Sequence, residues 1–311
     1  MTSQPGDKIK ILVIQGPTAS GKTGLAIRLA EAIGGEIVNA DSMQVYKGMD
    51  IGTAKPSKDL QNKVPHHLID IVSPEQNFSV GDFRKEAVKA IADIHARGAK
   101  PIIVGGTGLY IRALLKGLAE VPPADDEYRM ELQELLERKG GEFLLSQLAL
   151  VDLVSATALH PNDHVRIIRA LEVFRLTGKP ISEFRGCHGF MTEDYSYLKI
   201  GIRVERAELY ARINHRVEEM INDGFIDEVR GLLALGYGRE LKSMRSIGYR
   251  EICSYLSGET DLDKAVSLIK RNTRHYGKRQ ETWLRGDPEI SWVEYPKSFD
   301  TIQNHVIAFF D

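Results

Sequence analysis

The apolar positions of the chain change period along its length, and those changes mark out its elements. "IKILVIQ" (9–15) is a continuous apolar, β-branched run of strand length, as in a strand buried on both faces of a parallel sheet. After a glycine-rich stretch, Leu25, Leu29 and Ile33 recur at helical spacing until Gly34-Gly35 stops them. "EIVNAD" (36–41) predicts a second strand that runs out at Asp41. "FRKEAVKAIADIHARG" (83–98) predicts an amphipathic helix, and "KPIIVGGTG" (100–108) a third strand opening into a glycine turn. Strand, crossover helix, strand is the order of a parallel sheet.

From about Val121-Pro122-Pro123 to about residue 195 the pattern is helical and strongly charged. Its clearest helices are "YRMELQELLERKG" and "HVRIIRALEVFRLTG", the second introduced by His160-Pro161-Asn162-Asp163 as a cap-like start. "LKIGIRV" (198–204) then reads as another strand of the same sheet, which makes the helical segment an insertion. The remainder reads as helical. In "DKAVSLIKRNTRHYGKRQETWLR" (263–285), Val266, Ile269, Thr273, Tyr276, Gln280 and Trp283 form a seam at three-and-four spacing. Lys270, Arg271, Arg274 and Lys278 fall on another face, a solvated surface or one suited to phosphates. The expected fold class is α/β: a P-loop-containing parallel sheet core flanked by helices, residues 1–120 and 197–311, with a helical insertion domain at residues 121–196.

Composition narrows the class without naming a function. The 311 residues are 42% hydrophobic and 27% charged, with no biased or repeated tract, as in ordinary globular proteins. A formal charge of -2 means that any nucleic-acid surface must be local. Cys187 and Cys253 are far apart and lack metal-type spacing, so neither a disulfide framework nor a zinc site is indicated. The polar start MTSQPGDKIK has no apolar signal core, and no apolar run is long enough to span a bilayer. A cytoplasmic location, no membrane partner and a monomeric form are expected.

The glycine-rich stretch carries the first chemistry. Gly16-Pro17-Thr18-Ala19-Ser20-Gly21-Lys22-Thr23 is glycine, four residues, then Gly-Lys-Thr, placed after a strand and before a helix, as a P-loop requires. Backbone N–H groups and a helix N-terminus surround an anion there, Lys22 adds a point charge, and the Thr23 hydroxyl can reach magnesium or a phosphate oxygen. The obvious ligand is the tail of ATP or GTP, the nucleotide-binding reading of the motif. Yet the loop recognises any linked pair of phosphates, and the chain has no Asn-Lys-x-Asp base reader. The third strand ends in Gly105-Gly106-Thr107-Gly108 instead of an acid. Asp41 is the one acid at a strand end, where ligands of open α/β sheets bind. It suits a magnesium organiser, a general base or a helix cap.

With "GPTASGKT", "NADSMQVYKGMDIGTAKP" and "GGTGLYIRALL" in hand, the chain resembles the tRNA dimethylallyltransferases, also called tRNA isopentenyltransferases. The likeness continues through "HPNDHVRIIRALEVFRLTGKP", "SIGYREICSYLSGE" and "KRQETWLRG". The resemblance implies a transferase that moves a prenyl group from dimethylallyl diphosphate to an adenosine amine of the tRNA anticodon stem-loop, just 3′ of the anticodon. The P-loop, Gly16 to Thr23, would then hold the donor's diphosphate, with Mg2+ assisting through Thr23. Asp41 would be the general base, and Thr107 would touch the tRNA and the diphosphate. Arg212 or Arg216 would bind the diphosphate; both sit on "ELYARINHRVEEM", where pairing with Glu208 and Glu219 is the rival role. Contacts to tRNA would involve Asp41, Ser42, Met43, Gln44, Thr107 and Arg129. They would also involve Val165, Arg166, Ile167, Ile168 and Arg169, and Ser246, Ile247, Gly248, Tyr249, Arg250 and Glu251. The absence of a cysteine–histidine zinc module resembles the bacterial enzymes. Rival expectations are an adenylate isopentenyltransferase acting on free nucleotide, a P-loop small-molecule kinase, and a non-catalytic RNA-binding protein.

Overall fold

A run such as Ile11-Leu12-Val13-Ile14 has both faces apolar, so it needs cover on both, and the chain supplies it with two layers of helix. In a computed structural model, residues 8–119, 121–187 and 195–311 are described. The polar N-terminal residues 1–7, residue 120 and residues 188–194, near the expected domain boundaries, lie outside them. So does the side chain of Cys187.

In chain order the first elements are β1 (Ile9–Gln15), α1 (Lys22–Ile33), β2 (Gly35–Asn39), α2 (Lys58–Lys63), β3 (His66–His67), α3 (Val80–Ala96), β4 (Lys100–Gly105) and α4 (Gly108–Lys116). A helical run follows: α5 (Asp126–Lys139), α6 (Gly141–Val151), α7 (Leu153–Ala158), α8 (His164–Thr177) and α9 (Ile181–Cys187). The rest is β5 (Tyr195–Ile202), α10 (Arg206–Asn222), α11 (Phe225–Ala234), α12 (Tyr249–Leu256), α13 (Leu262–Arg285), β6 (Ile290–Val293) and α14 (Phe299–Phe310).

Two compact units result: the described residues within Met1–Leu115 and Glu193–Asp311, and those within Lys116–Thr192. The first holds a six-stranded sheet in the order β3-β2-β4-β1-β5-β6, every pairing parallel. Side chains alternate across it as a pleat demands. Ile11, Val13 and Ile103 pack with Phe83, Ile91 and Ile94 of α3, Tyr110 and Leu114 of α4, and Ile269 of α13. Leu12, Ile14, Ile102 and Val104 face Leu25 and Leu29 of α1 and Ile302 and Val306 of α14. Because Gln15 pairs with Gly105, and Asn39 with Val104, the carboxyl ends of β1, β2 and β4 finish nearly level. That edge is where parallel α/β sheets collect ligands.

The second unit has its own core, with Leu132, Leu144, Leu148, Ile167 and Leu171 buried together. Inside it Glu172 is fully buried, bonded by Arg129 Nε at 2.7 Å, by the Asp125 amide at 2.8 Å and by Arg169. Burial alone would raise its carboxyl. The hydrogen bonds from Arg169, the Asp125 amide and Arg129 outweigh that and hold it below the ordinary value.

The helical reading of the C-terminal remainder needs correction. Ile290–Val293 is a sixth strand, paired with β5 through Ile200↔Ser291 and Ile202↔Val293. A four-residue edge strand between long helices is too short to show a period. The strand expected at 198–204 runs instead from Tyr195 to Ile202, and the one expected at 36–41 ends at Asn39. Asp163 caps α8 by position but makes no side-chain cap hydrogen bond.

Candidate active site

The loop after β1 has two requirements, a reversal of direction and exposed N–H groups, and its residue types meet both. Gly21 at the N-cap of α1 has φ 93°, a left-handed conformation open to glycine at little cost. The first-turn amides of α1 have no carbonyl one turn back to bond, so they face outward as anion donors. Lys22 Nζ donates to the Pro17 carbonyl at 2.8 Å, which folds the ammonium over the loop. Ser20 is fully buried, and its hydroxyl has no hydrogen-bond partner among the described residues.

The three level strand ends bring the next groups in. Gly105 lies so close to β2 that a Cβ there would sit 2.2 Å from the Ala40 carbonyl oxygen. The turn that follows offers Thr107, whose hydroxyl accepts from the Ser42 amide at 3.3 Å. Asp41, just past β2, accepts from the amides of Met43 at 2.8 Å and Gln44 at 3.4 Å through one oxygen. Its carboxylate therefore does cap a turn, while its charge reaches Lys22, Arg216 and Tyr276.

Electrostatics bind these groups into one site. Burial pulls the Lys22 pKa down to about 8; Asp41 opposes that shift and Arg216 adds to it. Burial likewise lowers Arg216 from its ordinary value, with Asp41 opposing. The Tyr276 hydroxyl is pushed up to about 12 by burial and by Asp41, against hydrogen bonds with Thr107 and Gln280. One carboxylate and two cations thus share a partly dehydrated space. Such a space favours an incoming anion and a proton acceptor together.

The two arginines of α10 part ways. Arg212 pairs with Glu208 at 2.5 Å on the surface. Arg216 is turned inward, with Nη2 3.4 Å from the Ala54 carbonyl and its charge felt at Lys22. Gln44 donates from the same side chain nitrogen to the carbonyls of Thr53 and Ala54, both at 3.1 Å, so its amide fixes the 50–54 loop. That loop is held from behind by Glu228, which accepts from the amides of Asp50, Ile51 and Gly52 and from the Tyr249 hydroxyl.

The segments expected at tRNA divide by exposure. Val165 and Arg166 of α8 are exposed, whereas the side chains of Ile167 and Ile168 are buried in the core of their own unit. Arg129 and Arg169 spend charge on Glu172. Around α12, Tyr249 is buried and Glu251 accepts from the Gly248 amide, Arg250 and Asn272. Ser246 donates to the Ser243 carbonyl, and Ile247 is partly buried. Beside them opens a cavity of about 680 Å³, lined by Arg239, Arg245, Arg250 and Lys264 together with Glu240 and Glu259. On α13, Lys270 bonds Glu218 and Arg274 bonds Asn214; Arg271, Lys278 and Arg279 have no carboxylate partner among the described residues.

Sequence reasoning passed over Gln280, Tyr276 and Glu228 as functional groups. A signal existed for the first two: a tyrosine and a glutamine, four apart, in a helix seam that otherwise holds Val266, Ile269, Thr273 and Trp283. Glu228 carried none, since three of its partners are backbone amides far away in sequence and the fourth is the Tyr249 hydroxyl.

The IPP transferase family model matches residues 44–287. The chain is 66% identical to "tRNA dimethylallyltransferase 2" of Geotalea uraniireducens, covering 98% of both chains. It is 58% identical to "tRNA dimethylallyltransferase" of Geobacter sulfurreducens over the full length of both. Among solved structures, a full-length tRNA isopentenylpyrophosphate transferase from Bacillus halodurans superposes with TM-score 0.72 at 42% identity, covering 97% of each chain. A eukaryotic dimethylallyltransferase acting on tRNA gives TM-score 0.77 at 29% identity, covering 96% of this chain and 78% of that one.

Proposed function

The chain belongs to the IPP transferase family, and on that premise we propose that it prenylates tRNA. It moves a dimethylallyl group from dimethylallyl diphosphate to the exocyclic amine of the adenosine 3′ of the anticodon, in tRNAs that read codons beginning with U. The observation that carries this reading is the meeting of an anion loop and a carboxylate at one sheet edge, with Asp41 in electrostatic contact with Lys22 and Arg216.

In the reaction the allylic carbon–oxygen bond of the donor breaks as the nitrogen–carbon bond forms, and diphosphate leaves. Lys22, the α1 amides and Arg216 stabilise the charge that gathers on the leaving diphosphate. Asp41 takes the amine proton, which turns a weak nucleophile into an adequate one. Thr107, tied to the Ser42 amide, borders the same space. The Thr23 hydroxyl is a hard oxygen donor suited to Mg2+. Bound there, Mg2+ would neutralise diphosphate charge.

The α13 cations that lack a carboxylate partner among the described residues and the cavity beside α12 support a tRNA surface, and the exposed Val165 and Arg166 support a second in the helical unit. The target base must leave the anticodon-loop stack to reach Asp41. The acting unit is a monomer in the cytoplasm. No helix of the described residues is long and apolar enough to cross a membrane.

The test offers the protein dimethylallyl diphosphate with either unmodified tRNA or free AMP, followed by mass spectrometry of the nucleosides. A five-carbon addition to the adenosine 3′ of the anticodon is expected. Addition to AMP with unmodified tRNA left unchanged would sink the proposal.

A further inference from the structure

Gln280 lies near the end of α13, only 6% exposed, in a seam otherwise built for packing. Its Oε1 accepts from the Thr18 amide at 2.8 Å, and its Nε2 donates to the Gly106 carbonyl at 3.0 Å. Thr18 belongs to the phosphate loop and Gly106 to the turn that presents Thr107. One side chain therefore staples the donor-binding loop to the turn expected at the acceptor. Only a primary amide offers an acceptor and a donor side by side; glutamate lacks the donor, and methionine of the same length lacks both. The turn is shaped around this contact, since a Cβ at position 106 would stand 2.2 Å from Gln280 Nε2. Tyr276, one turn earlier on α13, lies near enough to Thr107 and Gln280 for both to act on its hydroxyl, so the same helix face reaches the site.

We propose that Gln280 is a positioning residue that fixes the phosphate loop against the glycine turn and links donor affinity to the seating of α13. The inference rests on the tRNA-prenylating reading above. Arg271, Lys278 and Arg279 ride on the same helix as Gln280. Phosphates drawn to those cations settle the helix, and through Gln280 they settle the loop, so bound tRNA tightens the grip on diphosphate. By linkage, diphosphate tightens the grip on tRNA equally.

The test uses Gln280→Met and Gln280→Glu, which keep the side-chain length, after thermal melts establish that each variant is folded. Calorimetric titration with inorganic diphosphate and Mg2+ reads the loop without a prenyl group or tRNA. Affinity is expected to fall about 10-fold in Gln280→Met, the order of effect for a buried amide left unsatisfied, and further in Gln280→Glu, which adds a like charge. The KM for dimethylallyl diphosphate should rise in step, while tRNA affinity measured without donor stays within about twofold of wild type. Saturating tRNA should tighten diphosphate binding in the wild-type protein and not in Gln280→Met. Unchanged diphosphate affinity in both variants overturns the proposal, as does a tRNA effect that survives in Gln280→Met. A wild-type protein that prenylates no tRNA defeats the reading above instead, and the diphosphate titrations still decide the role of Gln280.

Discussion

Asp41 and Lys22 are placed so that each changes what the other can do. The carboxylate uses one oxygen to hold the Met43 and Gln44 amides, so Asp41→Asn should keep the turn and lose only the base. Turnover is expected to drop by ~100-fold or more, the typical contribution of a general base. Diphosphate binding should persist, since a negative charge has been removed beside the anion. Single-turnover kinetics alongside diphosphate titration checks both. Lys22, whose pKa burial lowers to about 8, loses its proton as the pH rises through that value. A bound diphosphate favours the ammonium, so binding above this pH takes up a proton. The part of the affinity that Lys22 supplies should therefore be flat below about pH 7 and weaken by up to about tenfold per pH unit above 8, over and above the titration of the diphosphate itself. Calorimetry in buffers of different ionisation enthalpy detects the proton, and Lys22→Met should remove the Lys22 component, leaving only the dependence that the diphosphate's own titration gives.

Elements decide what single residues cannot. Arg212 and Arg216 are equivalent in sequence, four apart on one helix; the packing of α10 gives one to Glu208 and water and turns the other toward Ala54, Lys22 and Asp41. Arg216→Ala should raise the KM for dimethylallyl diphosphate at least 10-fold, the scale of a lost charge-assisted contact to phosphate. Arg212→Ala should stay within about twofold, as an exposed ion pair contributes little. Steady-state kinetics on both variants settles the assignment. In the helical unit, Glu172 of α8 ties Arg129 of α5 to Arg169 of its own helix. Its carboxyl is held below the ordinary value, so the stability it adds is present above the ordinary carboxylate pKa and disappears as the pH falls through its own lowered one. Glu172→Ala should cost about 2 kcal/mol, since it leaves the Asp125 amide without its acceptor while both arginines can turn to water. Urea melts at pH 7 check the value.

At the scale of the whole molecule, legibility follows distance along the chain. The glycine loop between β1 and α1 was readable because its parts are contiguous and framed by a strand and a helix. Asp41 was readable as an acid at a strand end, although the strand stops two residues earlier. The alternating core of β1 and β4 could be foreseen from apolar runs alone. Gln280 could not be, because its meaning lies in Thr18 and Gly106, which come from two other loops. Glu228 was hidden for the same reason, since three of its partners are backbone amides that look alike in any sequence and the fourth is a tyrosine hydroxyl 21 residues away. β6 escaped because four residues are too few to establish a period.

The parallel sheet has one more consequence, for the ribosome. Strand β1 lies in the middle of the sheet, and its neighbour β5 pairs Tyr195 with Ile9 across more than half the chain. At about 5–20 residues per second, the nascent chain therefore holds one edge of its most apolar strand uncovered for roughly ten to forty seconds. The helical unit encoded in that interval has a core of its own and can fold meanwhile. The open edge of β1 stays available to other strands until β5 arrives to cover it.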